Sequence, residues 1–323
     1  MNIKILLNKV VEAGDMTSKQ RDKLFMDMTD EVAEMVLQEN YLQAQSISGT
    51  EARAPFMLKE QMRFIHALEK DNKLNRALEF MPSDEEMLER MAQGEGLTRG
   101  ELAVLLAYGK MGLKESLLSP EITNEPYFEQ ELISYFPKPL RKKFVEEIKQ
   151  HPLRNEIIST VLANEMVDYL GSNFVYRIID ETGATPADVG ICFTLAKEIF
   201  SMRTLWKDIQ SLDHKVPAAT QVDMLYQTQR MVRRCTRWFL RHRRKNLAVS
   251  DGISYFKSGV QELQKEVAKS LEKTESKGLE KKIDHMVDQG VPASLASNVT
   301  YLSTMFSALD IVEMSKMTGL SIK

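Results

Sequence analysis

The chain has 323 residues, of which 43% are hydrophobic and 28% are charged, and this balance excludes a disordered chain. Its formal net charge is −3, so the whole molecule carries no strong attraction for nucleic acid or for a membrane surface. The two cysteines belong to no CxxC pair, which excludes a disulfide scaffold or a zinc site of the usual spacing, and no apolar run reaches the roughly 18 residues of a membrane span.

The chain begins with a short apolar segment at residues 3–7 that a strand or a helix could use, and this element ends at Gly14. An apolar element at the very start favours a cut made inside a longer polypeptide; an ordinary short first element is the alternative. Thr17 and Gln20 then form a capping-box pattern, in which each residue can hydrogen-bond the backbone of the other, and this pattern predicts a helix start.

The rest of the chain shows helical periodicity interrupted by proline, glycine and capping residues. The sharpest starts are a second capping box at Thr98 and Glu101, and a threonine cap followed by Pro186. Helices are predicted over residues 17–46, 51–80, 83–93, 99–118, 124–136, 139–150, 153–170, 173–182, 185–212, 216–244, 253–280 and 293–317.

These patterns predict an all-α fold, a multi-helix array in two or three packed sub-domains with no substantial sheet. We expect an N-terminal helical segment over residues 1–96, a central helical domain over 97–212 and a C-terminal helical domain over 213–323. The absence of a signal peptide pattern and the cysteine usage favour a cytoplasmic protein.

No motif in the chain predicts catalysis, cofactor binding or metal binding. Gly94, Gly96 and Gly100 resemble a phosphate-binding loop, but acidic residues crowd them and a helix precedes them, so we interpret them as a turn between helices. The five histidines form no HExxH or HxxxH pattern, and no GxSxG marks a nucleophile.

The sharpest local feature is a basic amphipathic helix near residues 229–246. Between Asp223 and Asp251 the chain carries eight lysines and arginines and no acid. At about 100° per residue, six arginines share one face opposite an apolar face. They are Arg230, Arg233, Arg234, Arg237, Arg241 and Arg244, here called the arginine face.

Three interpretations of the arginine face remain open from the sequence. The face can pair with carboxylates of this protein or of a neighbouring domain, it can bind an anionic ligand, or it can contact nucleic acid. The rest of the chain is acidic and arginine suits planar pairing with carboxylates, so pairing is favoured. The nineteen methionines are interpreted as gap fillers between helices, with Met305, Met314 and Met317 as candidates for a binding surface.

Several long segments of the chain resemble one family in order. They are NIKILLN, MTDEVAEMVLQENY, ALEFMPSDEEMLERM, LTRGELAVLLAYGKMGLKESLLS, YFPKPLRKKF, HPLRNEIISTVLANEMVDYLGSNFVYRIIDETGATPADV and RRCTRWFLR. They are similar to the C-terminal region of the large, bacterial-type NAD-specific glutamate dehydrogenases. The resemblance covers nearly the whole chain and is weakest after about residue 246. The family usually carries proline where Gly100 stands, and Gly109 and Gly112 lie inside a predicted helix.

The resemblance implies a parent enzyme that converts L-glutamate and NAD to 2-oxoglutarate, ammonium and NADH, with the catalytic and NAD-binding residues upstream of this chain. It implies that the chain itself has a structural, assembly or regulatory role, with its own upstream dehydrogenase module as partner and a homo-oligomer as the parent's state. No cofactor, metal or membrane is expected here. The alternative function is a helical anion- or nucleic-acid-binding module built on the arginine face.

Overall fold

A computed structural model of the protein describes residues 1–242, 248–271 and 273–322. Every regular element in these ranges is a helix and none is a strand, which confirms the predicted all-α fold. Two compact units divide the chain, Met1–Arg177 and Ile178–Lys323. The domain boundaries expected near residues 96 and 212 stay predictions, since compact units do not define where independently folding domains end.

The first unit holds eleven helices and the start of a twelfth within the described ranges. They are α1 (Asn2–Glu12), α2 (Ser18–Asp27), α3 (Thr29–Glu51), α4 (Ala54–Lys70), α5 (Asp84–Ala92), α6 (Arg99–Ser116), α7 (Pro120–Thr123), α8 (Tyr127–Ser134), α9 (Lys138–Lys143), α10 (Val145–Lys149), α11 (Arg154–Leu170) and α12 (Phe174–Thr182). Helix α12 ends in the second unit.

The second unit continues with seven helices in the described part of the chain. They are α13 (Pro186–Ile199), α14 (Met202–Gln210), α15 (Ala218–His242), α16 (Val249–Ser270), α17 (Lys273–Asp288), α18 (Ala293–Met305) and α19 (Ala308–Thr318).

The predicted helix starts are confirmed in atomic detail. Both capping boxes form, at Thr17 with Gln20 and at Thr98 with Glu101. Ser83 and Thr185 each accept a hydrogen bond from the backbone N–H three residues later. Each cap satisfies a backbone donor that the first helical turn cannot pair internally, so it fixes where the helix begins.

Five predicted helices are broken where the sequence suggests continuity. The helix predicted over residues 17–46 divides at Met28. The helix predicted over 139–150 divides at Phe144, and that over 185–212 divides at Ser201. At Ser201 the backbone adopts φ 50°, a left-handed conformation that no α-helix can contain. The helix predicted over residues 253–280 divides near Leu271, and that over 293–317 divides near Phe306. The helix predicted to reach residue 80 ends at Lys70 instead.

Helix α13 forms the centre of the second unit. Residues are buried around its whole circumference, Thr194 and Lys197 as well as the apolar ones, which is typical of a helix enclosed by others. The buried apolar residues include Val189, Cys192, Phe193, Leu195, Ala196 and Ile199. Helices α14, α15 and α16 pack against it.

Gly109 allows α6 to approach the turn that follows α11. A Cβ atom at this position would lie 3.0 Å from the carbonyl oxygen of Ser172 and 3.1 Å from its Cβ. The glycine therefore has a packing role in the interior of α6, although glycine lowers helix stability by about 1 kcal/mol relative to alanine.

Arg90 and Glu101 join the end of α5 to the start of α6. The Arg90 guanidinium donates to both carboxylate oxygens of Glu101, at 2.7 and 3.1 Å, and one of these oxygens also accepts from the Thr98 N–H at 2.7 Å. Burial would raise the pKa of Glu101, but the hydrogen bonds from Arg90 and Thr98 outweigh it and hold that pKa below its ordinary value. The pair therefore stabilises both helices as a charged pair.

The substitution Glu101→Ala should lower the free energy of unfolding by about 2 kcal/mol, because it removes a helix cap and leaves Arg90 without its less exposed partner. The matched control is Glu86→Ala, which removes the second carboxylate on Arg90; the Glu86 side chain is 49% exposed, against 12% for Glu101. The control should change stability by less than about 0.5 kcal/mol. Urea denaturation measures both values, and equal losses would contradict the account of this junction.

Asp168 on α11 forms a buried ion pair with Lys110 on α6. The Lys110 ammonium lies 2.8 and 2.9 Å from the two carboxylate oxygens, and the Asp168 side chain is only 1% exposed. Burial raises the pKa of Asp168 to about 6; Lys110 acts in the opposite direction, and the charge of Glu39 adds to the rise. Ionisation of Asp168 is therefore less favourable in the folded protein than in the unfolded chain.

The raised pKa of Asp168 predicts the direction in which the free energy of unfolding changes with pH. Between about pH 4 and pH 6 the unfolded chain has lost the Asp168 proton and the folded protein keeps it, so the contribution of this group to stability falls as pH rises. Relative to Asp168→Asn, the wild type should lose up to about 3 kcal/mol of unfolding free energy between pH 4 and pH 7. Urea denaturation of both proteins across this range measures the difference, and parallel curves would refute the assignment.

Candidate functional site

Helix α15 carries the arginine face, and its opposite side fixes its position in the second unit. Met231, Val232 and Cys235 on that side are buried. The indole N–H of Trp206 on α14 donates to the Thr228 hydroxyl at 2.9 Å, which ties α15 to its neighbour. The apolar and polar residues alternate at helical spacing, so burial of one side turns most of the arginines towards the periphery.

The structure describes five of the six predicted arginines. Arg230, Arg234 and Arg241 are exposed, while Arg233 and Arg237 are partly buried. Arg244 lies outside the described residues. The described arginines thus differ in their surroundings, although the sequence places them on one face.

Arg237 forms a charged pair with a carboxylate of the same unit. Its Nε and Nη2 atoms each lie 2.6 Å from one carboxylate oxygen of Glu181, at the end of α12. The Glu181 side chain is 36% exposed and the Arg237 side chain 22% exposed. Partial burial strengthens a charge-assisted hydrogen bond relative to a fully exposed pair.

Two further arginines contact aromatic rings of the same unit. The Arg234 guanidinium lies 4.2 Å from the ring centroid of Phe306, and the Arg230 guanidinium lies 6.0 Å from that of Tyr226. A cation over an aromatic face at such distances is attracted by the ring quadrupole. Three of the described arginines therefore contact side chains of this protein.

The end of α15 carries an aromatic cluster that the sequence does not single out. Trp238 packs edge to face against Phe239 and Phe256 at 5.2 and 5.6 Å, and the ring of His242 stacks on it at 4.4 Å. The Trp238 indole N–H donates to Asp310 of α19 at 2.7 Å. The only signal in the sequence is a tryptophan on the apolar side of the helix, because its carboxylate partner lies 72 residues away.

The thiol of Cys235 lies 3.8 Å from the sulfur of Met231, one turn earlier on α15, and is chemically protected. Its side chain is fully buried, and burial raises the pKa of the thiol well above the ordinary value. A thiol of this kind holds its proton at neutral pH, and the thiolate is the reactive form. Cys235 therefore serves the packing of α15.

No metal centre or membrane span emerges from the described parts of the chain. No group of three or more histidine, cysteine, aspartate or glutamate side chains within these ranges could hold a metal ion. Among the helices described, none is both long enough and apolar enough to cross a bilayer. Gly94 and Gly96 lie in the turn between α5 and α6, as the sequence predicts, whereas Gly100 lies in the first turn of α6.

Comparison with known protein families gives two matches along the chain. Residues 94–323 match the family described as glutamate dehydrogenase, C-terminal. Residues 1–50, which include α1, α2 and most of α3, match the family described as bacterial NAD-glutamate dehydrogenase, catalytic domain. The resemblance of the sequence does not predict this second match, since it implies a dehydrogenase module upstream of residue 1.

Three similar proteins are each named NAD-specific glutamate dehydrogenase. That of Halomonas elongata is 39% identical over 318 residues, which cover 98% of this chain and 20% of the relative. That of Pseudomonas aeruginosa is 40% identical over 319 residues, which cover 99% of this chain and 20% of the relative. That of Mycobacterium tuberculosis is 35% identical over 312 residues, which cover 97% of this chain and 19% of the relative.

The chain thus spans about a fifth of the length of the curated relatives it matches. The family match over residues 94–323 confirms the resemblance seen in the sequence, and it covers more than half of the chain. The chain belongs to the family of glutamate dehydrogenase C-terminal regions.

Proposed function

We propose that the chain is the helical C-terminal segment of an NAD-dependent glutamate dehydrogenase. The whole protein would oxidise L-glutamate with NAD⁺ and water, which yields 2-oxoglutarate, ammonium, NADH and a proton. The observation that carries this proposal is the family match over residues 94–323, together with three relatives of that name whose similarity covers 97% to 99% of the chain.

Within that enzyme the chain has a structural, assembly or regulatory role. The dehydrogenase module of the same protein is its partner, and NAD is bound by residues that precede this segment. The whole enzyme is a cytoplasmic homo-oligomer. Support comes from the helical architecture of the described residues and from the match of residues 94–323 to a family described as C-terminal.

The arginine face contributes to this role by holding helices of its own unit together. Arg237 pairs with Glu181, while Arg234 and Arg230 lie against aromatic rings, so their guanidinium groups already have partners. The alternative, an anion- or nucleic-acid-binding module, is not favoured, since the similar proteins are dehydrogenases.

A chimeric enzyme tests the proposed function directly. This chain replaces the corresponding fifth of the Pseudomonas aeruginosa relative, and glutamate-dependent NADH formation is followed by absorbance. The chimera should remain active, whereas deletion of the same region should remove activity because the dehydrogenase module loses its support. A soluble chimera without activity, beside an active parental enzyme, would contradict the proposal.

The role of the arginine face is tested by Arg237→Met with Arg241→Met as its matched control. Loss of the partly buried pair with Glu181 should lower the free energy of unfolding by about 1 kcal/mol. Replacement of the exposed Arg241 should change it by less than about 0.5 kcal/mol. Urea denaturation measures both.

Binding of duplex DNA, measured by fluorescence anisotropy at several salt concentrations, separates the alternatives. Affinity that falls steeply with salt and is lost in both variants would show that the face binds nucleic acid. Absence of such binding, with a stability loss confined to Arg237→Met, is the expected result.

A further inference from the structure

The turn between α4 and α5 presents two large apolar side chains to solvent. Phe80 is 89% exposed and Leu78 is 74% exposed. Residues on either side of them are buried, namely Leu74 and Met81, so the turn itself is anchored in the first unit. We call residues 75–80 the apolar turn.

Phe80 occupies a backbone position that normally requires glycine. The Met81 N–H donates to the carbonyl of Arg76 at 2.9 Å, and the Glu79 N–H donates to that of Asn75 at 3.1 Å. A six-to-one hydrogen bond of this kind closes a Schellman motif, whose penultimate residue is left-handed. Phe80 is that residue, with φ 52°. A bulky side chain here strains the backbone, and glycine would not.

Hydrogen bonds hold the apolar turn in one conformation. The Arg76 guanidinium binds both carboxylate oxygens of Glu69 at 2.8 and 3.0 Å, and it also reaches Asp84 at 2.7 Å and the carbonyl of Pro82 at 3.1 Å. The Tyr108 hydroxyl donates to Glu79 at 2.6 Å. The turn is thus rigid although its two apolar side chains contribute little to the core.

A strained aromatic residue that is almost fully exposed lowers stability unless something covers it. Strain of this kind persists where the surrounding structure enforces it, and it concentrates at binding and functional sites. A rigid turn that holds an aromatic side chain outward has already lost the conformational entropy that binding would otherwise remove. The apolar turn therefore has the properties of a preformed anchor for a protein surface.

The surroundings of the apolar turn define the chemistry of its partner. Residues 77–98 contain six acidic residues and a single basic one, Arg90, whose guanidinium is held by Glu86 and Glu101. The basic residues just before this stretch are also paired: Lys73 with Glu115, and Arg76 with Glu69 and Asp84. Exposed acids near the turn include Glu85 and Glu89 of α5. A partner that receives Phe80 and Leu78 must offer an apolar pocket with basic residues at its rim.

We propose that the apolar turn docks into such a pocket on the remaining part of the dehydrogenase polypeptide, and this rests on the proposed function. The chain spans about a fifth of its relatives, so four-fifths of the polypeptide is available as a partner in the same molecule. The turn lies between residues 1–50, which match the catalytic-domain family, and residues 94–323, which match the C-terminal family. The apolar turn therefore lies a short distance along the chain after the residues that match the catalytic-domain family.

Hydroxyl-radical footprinting with mass spectrometry tests the docking. The oxidation rates of Phe80 and Leu78 are compared between the isolated chain and the chimeric enzyme described above. Both rates should fall by about tenfold in the chimera, as expected at the dry centre of an interface. Met314 and Met317, which are 58% and 70% exposed on α19, serve as internal references and should keep their rates.

Phe80→Gly separates docking from folding. Glycine relieves the left-handed strain, so the isolated variant should unfold at the same temperature as the wild type or higher. In the chimera the same variant should restore rapid oxidation of Leu78 and lower the temperature at which activity is lost. Met317→Gly, at an exposed position outside the turn, is the control for loss of an apolar side chain and should leave Leu78 protected.

The possible outcomes distinguish failure of the docking proposal from failure of the proposed function. An active chimera in which Phe80 and Leu78 oxidise as fast as in the isolated chain would overturn the docking proposal and leave the proposed function intact. Protection that already occurs in the isolated chain and grows with its concentration would also overturn it, because the occupant would then be a second copy. A soluble chimera without activity would refute the proposed function and the docking with it.

Discussion

The second unit depends on the burial of α13, a helix whose residues are buried on every side, Thr194 and Lys197 among them. Such a helix has no solvent-facing surface, so other helices must enclose it. Helices α14, α15 and α16 do this, since each packs against α13. The orientation of α15 follows from that requirement, and with it the outward position of its arginines. The arginine face is thus a consequence of packing, and its contacts with Glu181, Phe306 and Tyr226 join neighbouring elements of the same unit.

In the first unit, ion pairs between arginine and glutamate side chains join short helices to one another. Arg90 with Glu101 joins α5 to α6, and Arg76 with Glu69 joins the turn before α5 to α4. In both cases an arginine fork binds two carboxylate oxygens, a geometry that lysine cannot reproduce. These junctions explain how a region of short elements stays rigid enough to display an exposed phenylalanine at a left-handed position.

Local signals in the sequence predict most of the helix starts, because a cap is a contact between residues three positions apart. The boxes at Thr17 and Thr98 are therefore recognisable without any tertiary information. The breaks at Met28 and Ser201 are not recognisable in this way, since tertiary packing decides them and neither residue is a proline or glycine.

The same limit applies to the prediction of functional residues. The arginine face is visible as a pattern, whereas the Trp238 contact with Asp310 and the exposure of Phe80 depend on the folded structure.

Under the proposed function, this chain is a helical segment that supports a dehydrogenase, and the remainder of that enzyme binds glutamate and NAD. Isothermal titration calorimetry of NAD⁺ into the isolated chain, with and without L-glutamate, is the most direct test of this division of labour. The account predicts no saturable heat for NAD⁺, while the full-length Pseudomonas aeruginosa relative binds it under the same conditions. Saturable, stoichiometric binding of NAD⁺ by the isolated chain would contradict it.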